Sequence, residues 1–166
     1  MFPLSSNAAV MELPMSTRLT FRSATPDDAA AVRALVRAAY ARWVPIIGRE
    51  PRPMQADYEM AVREHDFDIA ARDGVLIGLI ETMLRDDHLW IENIAVAPEA
   101  QGQGLGTLLL ERTEERARAA GRSELRLLTN GKMDVNIVLY RRVGFSFDKE
   151  EPFADGTVVY MSKRLL

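Results

Sequence analysis

The run at 96–110, VAPEAQGQGLGTLLL, constrains this chain more than any other segment. An apolar strand-like stretch enters a turn holding Gly102, Gly104 and Gly106, and a leucine-rich helical stretch leaves it. Such a turn exposes several backbone N–H groups with no side chains in the way. The first helical turn adds its own unpaired N–H groups and the positive end of the helix dipole. The result is an anion site suited to a phosphate or pyrophosphate. Thr107 stands where a dinucleotide fingerprint requires its third glycine, and no Gly-Lys-Ser/Thr follows as a P-loop requires. NAD and ATP are therefore poor ligands for it.

The rest of the chain sets the context of that turn. Residues 17–22 alternate as a strand. Thr25 reads as the N-cap of a helix with Pro26 in its first turn, and Val32, Leu35, Val36, Ala39 and Tyr40 form its apolar face. Residues 43–58 carry three prolines and a glycine, and read as a loop or broken helix, with a short helix near 55–64. Strands at 66–72, 75–83 and 88–96, joined by Asp73-Gly74 and Asp86-Asp87, make an antiparallel meander. A helix over about 105–120 follows, with Leu105, Leu108, Leu109 and Ala117 on its buried side and Gly121 as its stop. A strand at 124–129, a helix at 134–142 capped by Asp134, and strands at 145–148 and 157–164 complete the chain. Antiparallel strands interrupted by one helical crossover make an α+β class with one parallel strand pair.

Composition excludes several function classes. The 166 residues contain no cysteine, so disulfides, zinc fingers, Fe–S clusters and a thiol nucleophile are ruled out. Two histidines, His65 and His88, give no metal-ligand spacing, and no metal is expected. A net charge of −3 argues against a nucleic-acid partner. No stretch approaches the ~20 apolar residues of a membrane span. Residues 1–16 read as a flexible tail without a charged n-region, followed by one domain over 17–166. Met11 and Met15 leave the start codon open, and a cytoplasmic location is expected.

Gln101-Gly102-Gln103-Gly104-Leu105-Gly106 resembles the Gln/Arg-x-x-Gly-x-Gly/Ala signature of the GCN5-related N-acetyltransferase (GNAT) superfamily. Downstream, residues 136–145, NIVLYRRVGF, resemble that family's N-x-x-L-Y-x-x-x-G-F segment. The element order matches from about residue 17 to 166. The resemblance implies the GNAT fold, a mixed, mostly antiparallel sheet splayed at its centre and flanked by about four helices. It implies acetyl-CoA as co-substrate, with pyrophosphate on the amides of Gln101, Gly102, Gln103, Gly104, Leu105 and Gly106. Thr107 would add a hydroxyl, and the glutamine side chains would act as neutral donors. The strand at Ile94, Ala95 and Val96 would bulge and splay from the strand at 124–129. The amide of Ile94 or Val96 would then polarise the thioester carbonyl. Asn136 would contact the CoA arm, and Tyr140 would bind there and protonate the departing thiolate.

An ammonium acceptor must lose a proton before it attacks. Glu92, two residues before Ile94 on the same strand, is the candidate base, with Glu124 a weaker one. His88 and His65 read as surface residues. Trp43, Met54, Asp57 and Tyr58, with the turns near Asp86, are candidates for the acceptor site, while Arg49, Glu50 and Arg52 read as a solvated patch. The helical stretch 111–116 reads as an exposed, ion-paired face. The partner expected is a small-molecule or peptide amine, and a homodimer is compatible with the resemblance. Without cysteine, transfer would be direct in a ternary complex. The alternative reading is a non-catalytic acyl-CoA binding or sensing module on the same fold.

Overall fold

A single helical crossover joins two antiparallel groups of strands. The computed structural model describes residues 18–166, so the tail expected at 1–16 lies outside the described residues, as does Thr17. β1 (Leu19–Ser23) leads through a 3-10 turn at Pro26–Asp28 into α1 (Ala29–Tyr40). Thr25 heads the 3-10 turn, its N–H donating to Asp28 Oδ2 at 2.7 Å, and the α-helix begins three residues later than the cap pattern suggests. The proline-rich stretch breaks into one helical turn, α2 (Val44–Ile47), and a 3-10 turn at Arg52–Gln55, before α3 (Tyr58–Glu64). The prolines there withhold the amide donors that a continuous helix needs.

The meander forms as expected: β2 (Asp66–Arg72), β3 (Val75–Leu84) and β4 (Leu89–Val96). α4 (Leu105–Ala119) crosses over to β5 (Glu124–Asn130), and α5 (Asp134–Arg142) precedes the hairpin β6 (Ser146–Phe153) and β7 (Gly156–Arg164). Asp134 is the first helical residue rather than the cap, which is Met133. β6 extends well beyond the stretch expected from sequence because it is a largely exposed edge strand. Its charged run Asp148 to Glu151 and Pro152 suit an unpaired edge and hide the alternation that marks a half-buried strand.

The seven strands lie in the order β1-β2-β3-β4-β5-β7-β6, with β4–β5 parallel and every other pair antiparallel. α4 buries Leu105, Leu109, Leu110, Thr113 and Ala117 against the sheet. Leu108 is only half-buried, and Leu110 takes the place expected for it. Gly78 makes this packing possible, since a Cβ there would lie 2.8 Å from Leu105 Cδ2. Nor is 111–116 a uniformly solvated face. The Thr113 hydroxyl donates to Leu109 O at 2.8 Å. Arg112 donates through Nε to buried Asp68 at 2.6 Å and stacks 4.1 Å from the Phe21 ring centroid.

The register of the central strands positions the site. Glu81 pairs with Asn93 and Thr82 with Ile91, leaving Glu92 as an extra residue, a β-bulge in β4. β4 pairs with β5 only from Leu89 to Ile91, against Leu125 to Leu127. Beyond the bulge β4 stays on β3 while β5 stays on β7, so the sheet parts at its centre. The bulge lies two residues earlier than Ile94, where the resemblance places it. Among the described residues, no helix is long and apolar enough to cross a membrane. No group of three metal-ligating side chains is found among them either.

Candidate active site

Beyond the bulge, β4 turns one edge toward the gap. The Ala97 N–H donates to Ile77 O at 2.8 Å, so Ala97 points its backbone groups toward β3. Successive strand residues alternate, and Ile94 and Val96 therefore point theirs the other way. Their carbonyls are capped by side chains. The Tyr40 hydroxyl reaches Ile94 O at 3.2 Å, and Gln101 Nε2 donates to Val96 O at 3.0 Å. The amides of Ile94 and Val96 face the same gap, with no neighbouring strand to receive them. Ala95 faces β3 and is buried.

Two cavities flank this gap. The smaller, about 640 Å³, runs from Ile94, Ala95 and Val96 to the glycine turn and α5. Gly102 (φ 75°) and Gly104 (φ 84°) hold left-handed conformations that other residues resist, and a Cβ at either would meet nothing within 4 Å. Gly104 is the N-cap of α4. The Leu108 N–H donates to Gly104 O at 3.1 Å as the first helical bond, so the amides of Leu105, Gly106 and Thr107 have no helical acceptor. Leu105 turns its side chain into the core and has only its amide to offer.

The glutamine side chains, expected as neutral donors, each donate here to a backbone carbonyl. Gln101 spends its amide on Val96, and Gln103 Nε2 donates to Glu99 O at 3.3 Å. Their oxygens instead accept from Arg42 (3.2 Å) and Arg72 (3.4 Å), which brings two guanidinium groups to the turn. Trp43 is buried along this smaller cavity, with Arg42 stacked 4.9 Å from its ring centroid, and not in an acceptor pocket as sequence suggests.

The larger cavity, about 740 Å³, lies between the 49–58 segment, β4 and the β5–β7 strands. Asp57 and Tyr58 line it, as expected; Met54 is packed in the core instead. Asp57 also caps α3, accepting from the Met60 N–H at 3.2 Å. The buried Tyr58 hydroxyl donates to Pro53 O at 2.6 Å and accepts from Asn93 Nδ2 at 3.3 Å, while Asn93 Oδ1 receives the Tyr40 hydroxyl at 2.7 Å. Glu92 lies on the exposed bulge at this cavity's wall, its carboxylate accepting from Trp90 Nε1 at 2.8 Å. Of the turn after β3, Arg85 reaches the cavity. Arg49 and Arg52, which read as solvated in the sequence, line it too.

Four residues line both cavities: Tyr40, Ile94, Asn136 and Tyr140. They form the throat between them. The Tyr140 ring packs 5.8 Å from Phe145, burial pushes its phenol well above the ordinary value, and its hydroxyl has no hydrogen-bond partner among the described residues. Asn136 is half-buried one turn earlier on α5.

His65, expected on the surface, is half-buried at the larger cavity, its Nδ1 2.6 Å from Glu81 Oε1. Glu81 is 4% exposed, and burial raises its carboxyl pKa although His65 pulls it back. The sequence reading does not single out Glu81, Asn93 or Tyr40. The signal for the first two is present, since each is a polar residue inside an apolar strand run. By contrast Glu124 is held by Arg126 at 2.9 Å at the other end of β5, and His88 by Asp87 at 2.6 Å; neither lines either cavity.

The family model for "Acetyltransferase (GNAT) family" matches residues 31–145, more than half of the chain. The chain belongs to the GNAT acetyltransferase family. A GNAT-family structure from Desulfovibrio desulfuricans superposes with a TM-score of 0.75 at 24% identity, covering 89% of this chain and 99% of that one. PaiA N-acetyltransferase from Thermoplasma acidophilum, crystallised with coenzyme A, gives 0.76 at 20% identity over 89% and 99% of the two chains. A curated relative, an IAA acetyltransferase from Azospirillum brasilense, is 38% identical over 82 residues, 48% of this chain and 54% of that one. The match thus spans about half the length of that relative. The seven-stranded sheet parted at its centre is the GNAT fold that the glycine turn and the 136–145 segment suggest.

Proposed function

We propose that this GNAT protein transfers an acetyl group from acetyl-CoA directly to a primary amine while both substrates are bound. The observation that carries this reading is the throat. Two cavities of different character meet at Ile94 and Tyr140, at the point where the sheet parts. One is lined by free amides at a helix start, which suit a pyrophosphate, and the other carries Asp57, Glu81 and Glu92, which suit an ammonium group, beside Arg49, Arg52 and Arg85.

In this reading the glycine turn and Thr107 hold the phosphates, and Asn136 and the edge of β4 hold the arm. The amide of Ile94 or Val96 donates to the thioester oxygen as negative charge builds on it. Glu92 takes the ammonium proton through a water, and the amine lone pair then attacks the carbonyl carbon. The C–S bond breaks, Tyr140 gives its proton to the leaving thiolate, and the second proton of the attacking nitrogen restores the Tyr140 phenol, so the products are the amide and free CoA. The raised pKa of Tyr140 keeps it protonated at neutral pH. With no cysteine in the chain, no acyl-cysteine intermediate intervenes.

The test is thiol release with a panel of amines, comparing wild type with Tyr140→Phe. The expected result is turnover that falls on the order of 100-fold in the variant while acetyl-CoA binding persists. Micromolar CoA binding with no turnover on any amine would instead establish the non-catalytic binding module.

A further inference from the structure

The larger cavity holds one polar atom that the fold leaves unmet. Arg49 follows Gly48, which closes α2 in a left-handed conformation (φ 86°). Its guanidinium lies 5.2 Å from the Phe153 ring centroid, bridging the cavity from the 49–58 segment to β6. Among the described residues, Arg49 Nε is buried with no hydrogen-bond partner. The adjacent carboxylate, Glu50, is turned instead to Arg37, at 2.8 Å. A buried donor left unpaired costs roughly 1–3 kcal/mol, more when it is charged. The cost disappears if an acceptor arrives with the ligand.

We propose that the acceptor amine also carries a carboxylate, and that Arg49 receives it. The inference rests on the acetyl transfer proposed above and names its substrate class. The Nε–H and Nη–H of a guanidinium form the parallel fork that matches a planar carboxylate, and Arg49 lines the cavity, so a small swing of its side chain off the wall presents that fork to a ligand. The same cavity carries acidic groups for the other end of such a molecule: Glu92 and Asp57 on its wall, with Glu81 buried behind them. Neither Glu92 nor Asp57 is ion-paired within the described residues, nor is Arg49. A plain alkylamine would satisfy the acidic end and leave Arg49 Nε unmet. An amino acid satisfies both, and a cavity of about 740 Å³ has room for it.

The experiment measures kcat/KM for matched pairs of acceptors: alanine against ethylamine, β-alanine against propylamine, γ-aminobutyrate against butylamine, and phosphoethanolamine against ethanolamine. At least one carboxylate-bearing member is expected to exceed its partner on the order of 10- to 100-fold, the range that a charge-assisted bidentate contact supports. Arg49→Met keeps an apolar stem on Phe153 and should collapse that ratio toward one, while Arg49→Lys retains part of it. Arg63→Met, on the exposed face of α3, should keep the ratio. A thermal midpoint near wild type confirms that Arg49→Met is folded. Ratios near one in every pair, or a ratio that survives Arg49→Met, overturn the inference while leaving acetyl transfer intact. A preference confined to phosphoethanolamine overturns the carboxylate. Acetylation of no amine at all removes the functional reading itself, and the inference with it.

Discussion

The two cavities beside the parted sheet are built from different materials. The smaller offers backbone at its glycine-turn end, amides of the turn, the start of α4 and the edge of β4, with Arg42 beside them. The larger is made of side chains brought from α1, the 49–58 segment, α3 and five strands. Backbone groups carry no formal charge and do not titrate. A phosphate-rich ligand can therefore be held by an acidic chain, and the hold should change little with pH. Side-chain groups titrate and depend on one another, so the larger cavity should respond to pH and to single substitutions.

That contrast meets its hardest test at His65. His65→Leu strands Glu81, buried behind the larger cavity. A loss of about 3 kcal/mol is expected at neutral pH, read by chemical denaturation. The sign follows from Glu81. Its folded pKa is raised by burial and held down by His65, so removing His65 raises it further. A group with a raised folded pKa stabilises below its unfolded value and loses that contribution as pH rises through the folded one. The deficit of His65→Leu should therefore shrink in acid and grow toward neutral pH. A pH-independent deficit would mean that packing, and not the carboxylate, sets it.

A smaller effect, of another kind, is expected from Gly104→Ala. The left-handed conformation costs about 1–2 kcal/mol for an alanine. Acetyl-CoA affinity should fall roughly 10-fold with the same fold-loss at pH 6 and pH 8. A strongly pH-dependent loss would end the distinction between the cavities.

Tyr40→Phe probes the throat, where backbone and side chains meet. It removes the hydroxyl that bonds Asn93 Oδ1 and Ile94 O, for about 1 kcal/mol of stability. Amide exchange at Ala95, which faces β3, should accelerate in this variant, measured by hydrogen exchange. The smallest effect belongs to a pair remote from both cavities. Arg22 beside Asp28 holds that carboxyl down at about 2. Its contribution is present above the unfolded carboxylate value and is lost as pH falls toward 2. Asp28→Asn should cost well under about 1 kcal/mol near neutrality and nothing in strong acid, with acetyl-CoA affinity unmoved.

The same division governs which parts of the molecule are legible in its sequence. Gln101 to Gly106 and the 136–145 segment are legible because a turn or a helix is set by neighbours in sequence. Most strand bounds fall within a residue or two of their expected places for the same reason. Trp43 escapes such reading because the 3-10 turn at Ala41–Trp43 rotates it toward the glycine turn, and no periodic pattern predicts that rotation. The Tyr40–Asn93 bond joins residues 53 apart, and the His65–Glu81 bond residues 16 apart. Tyr40 reads as one more apolar position on α1. Its role depends on the bulge at Glu92, which is a property of strand pairing and not of a single strand.

That bulge has a mechanical consequence. Three residue pairs, Leu89 to Ile91 with Leu125 to Leu127, are the whole backbone seam between a four-stranded half of the sheet and a three-stranded half. Each half is laced internally over nearly its full strand length. The two halves are thus joined by backbone at one end and parted at the other, and whatever occupies the open end touches both. A thioester arm lying there would lie against both halves at once. Its departure as free CoA would return the parted edges to water.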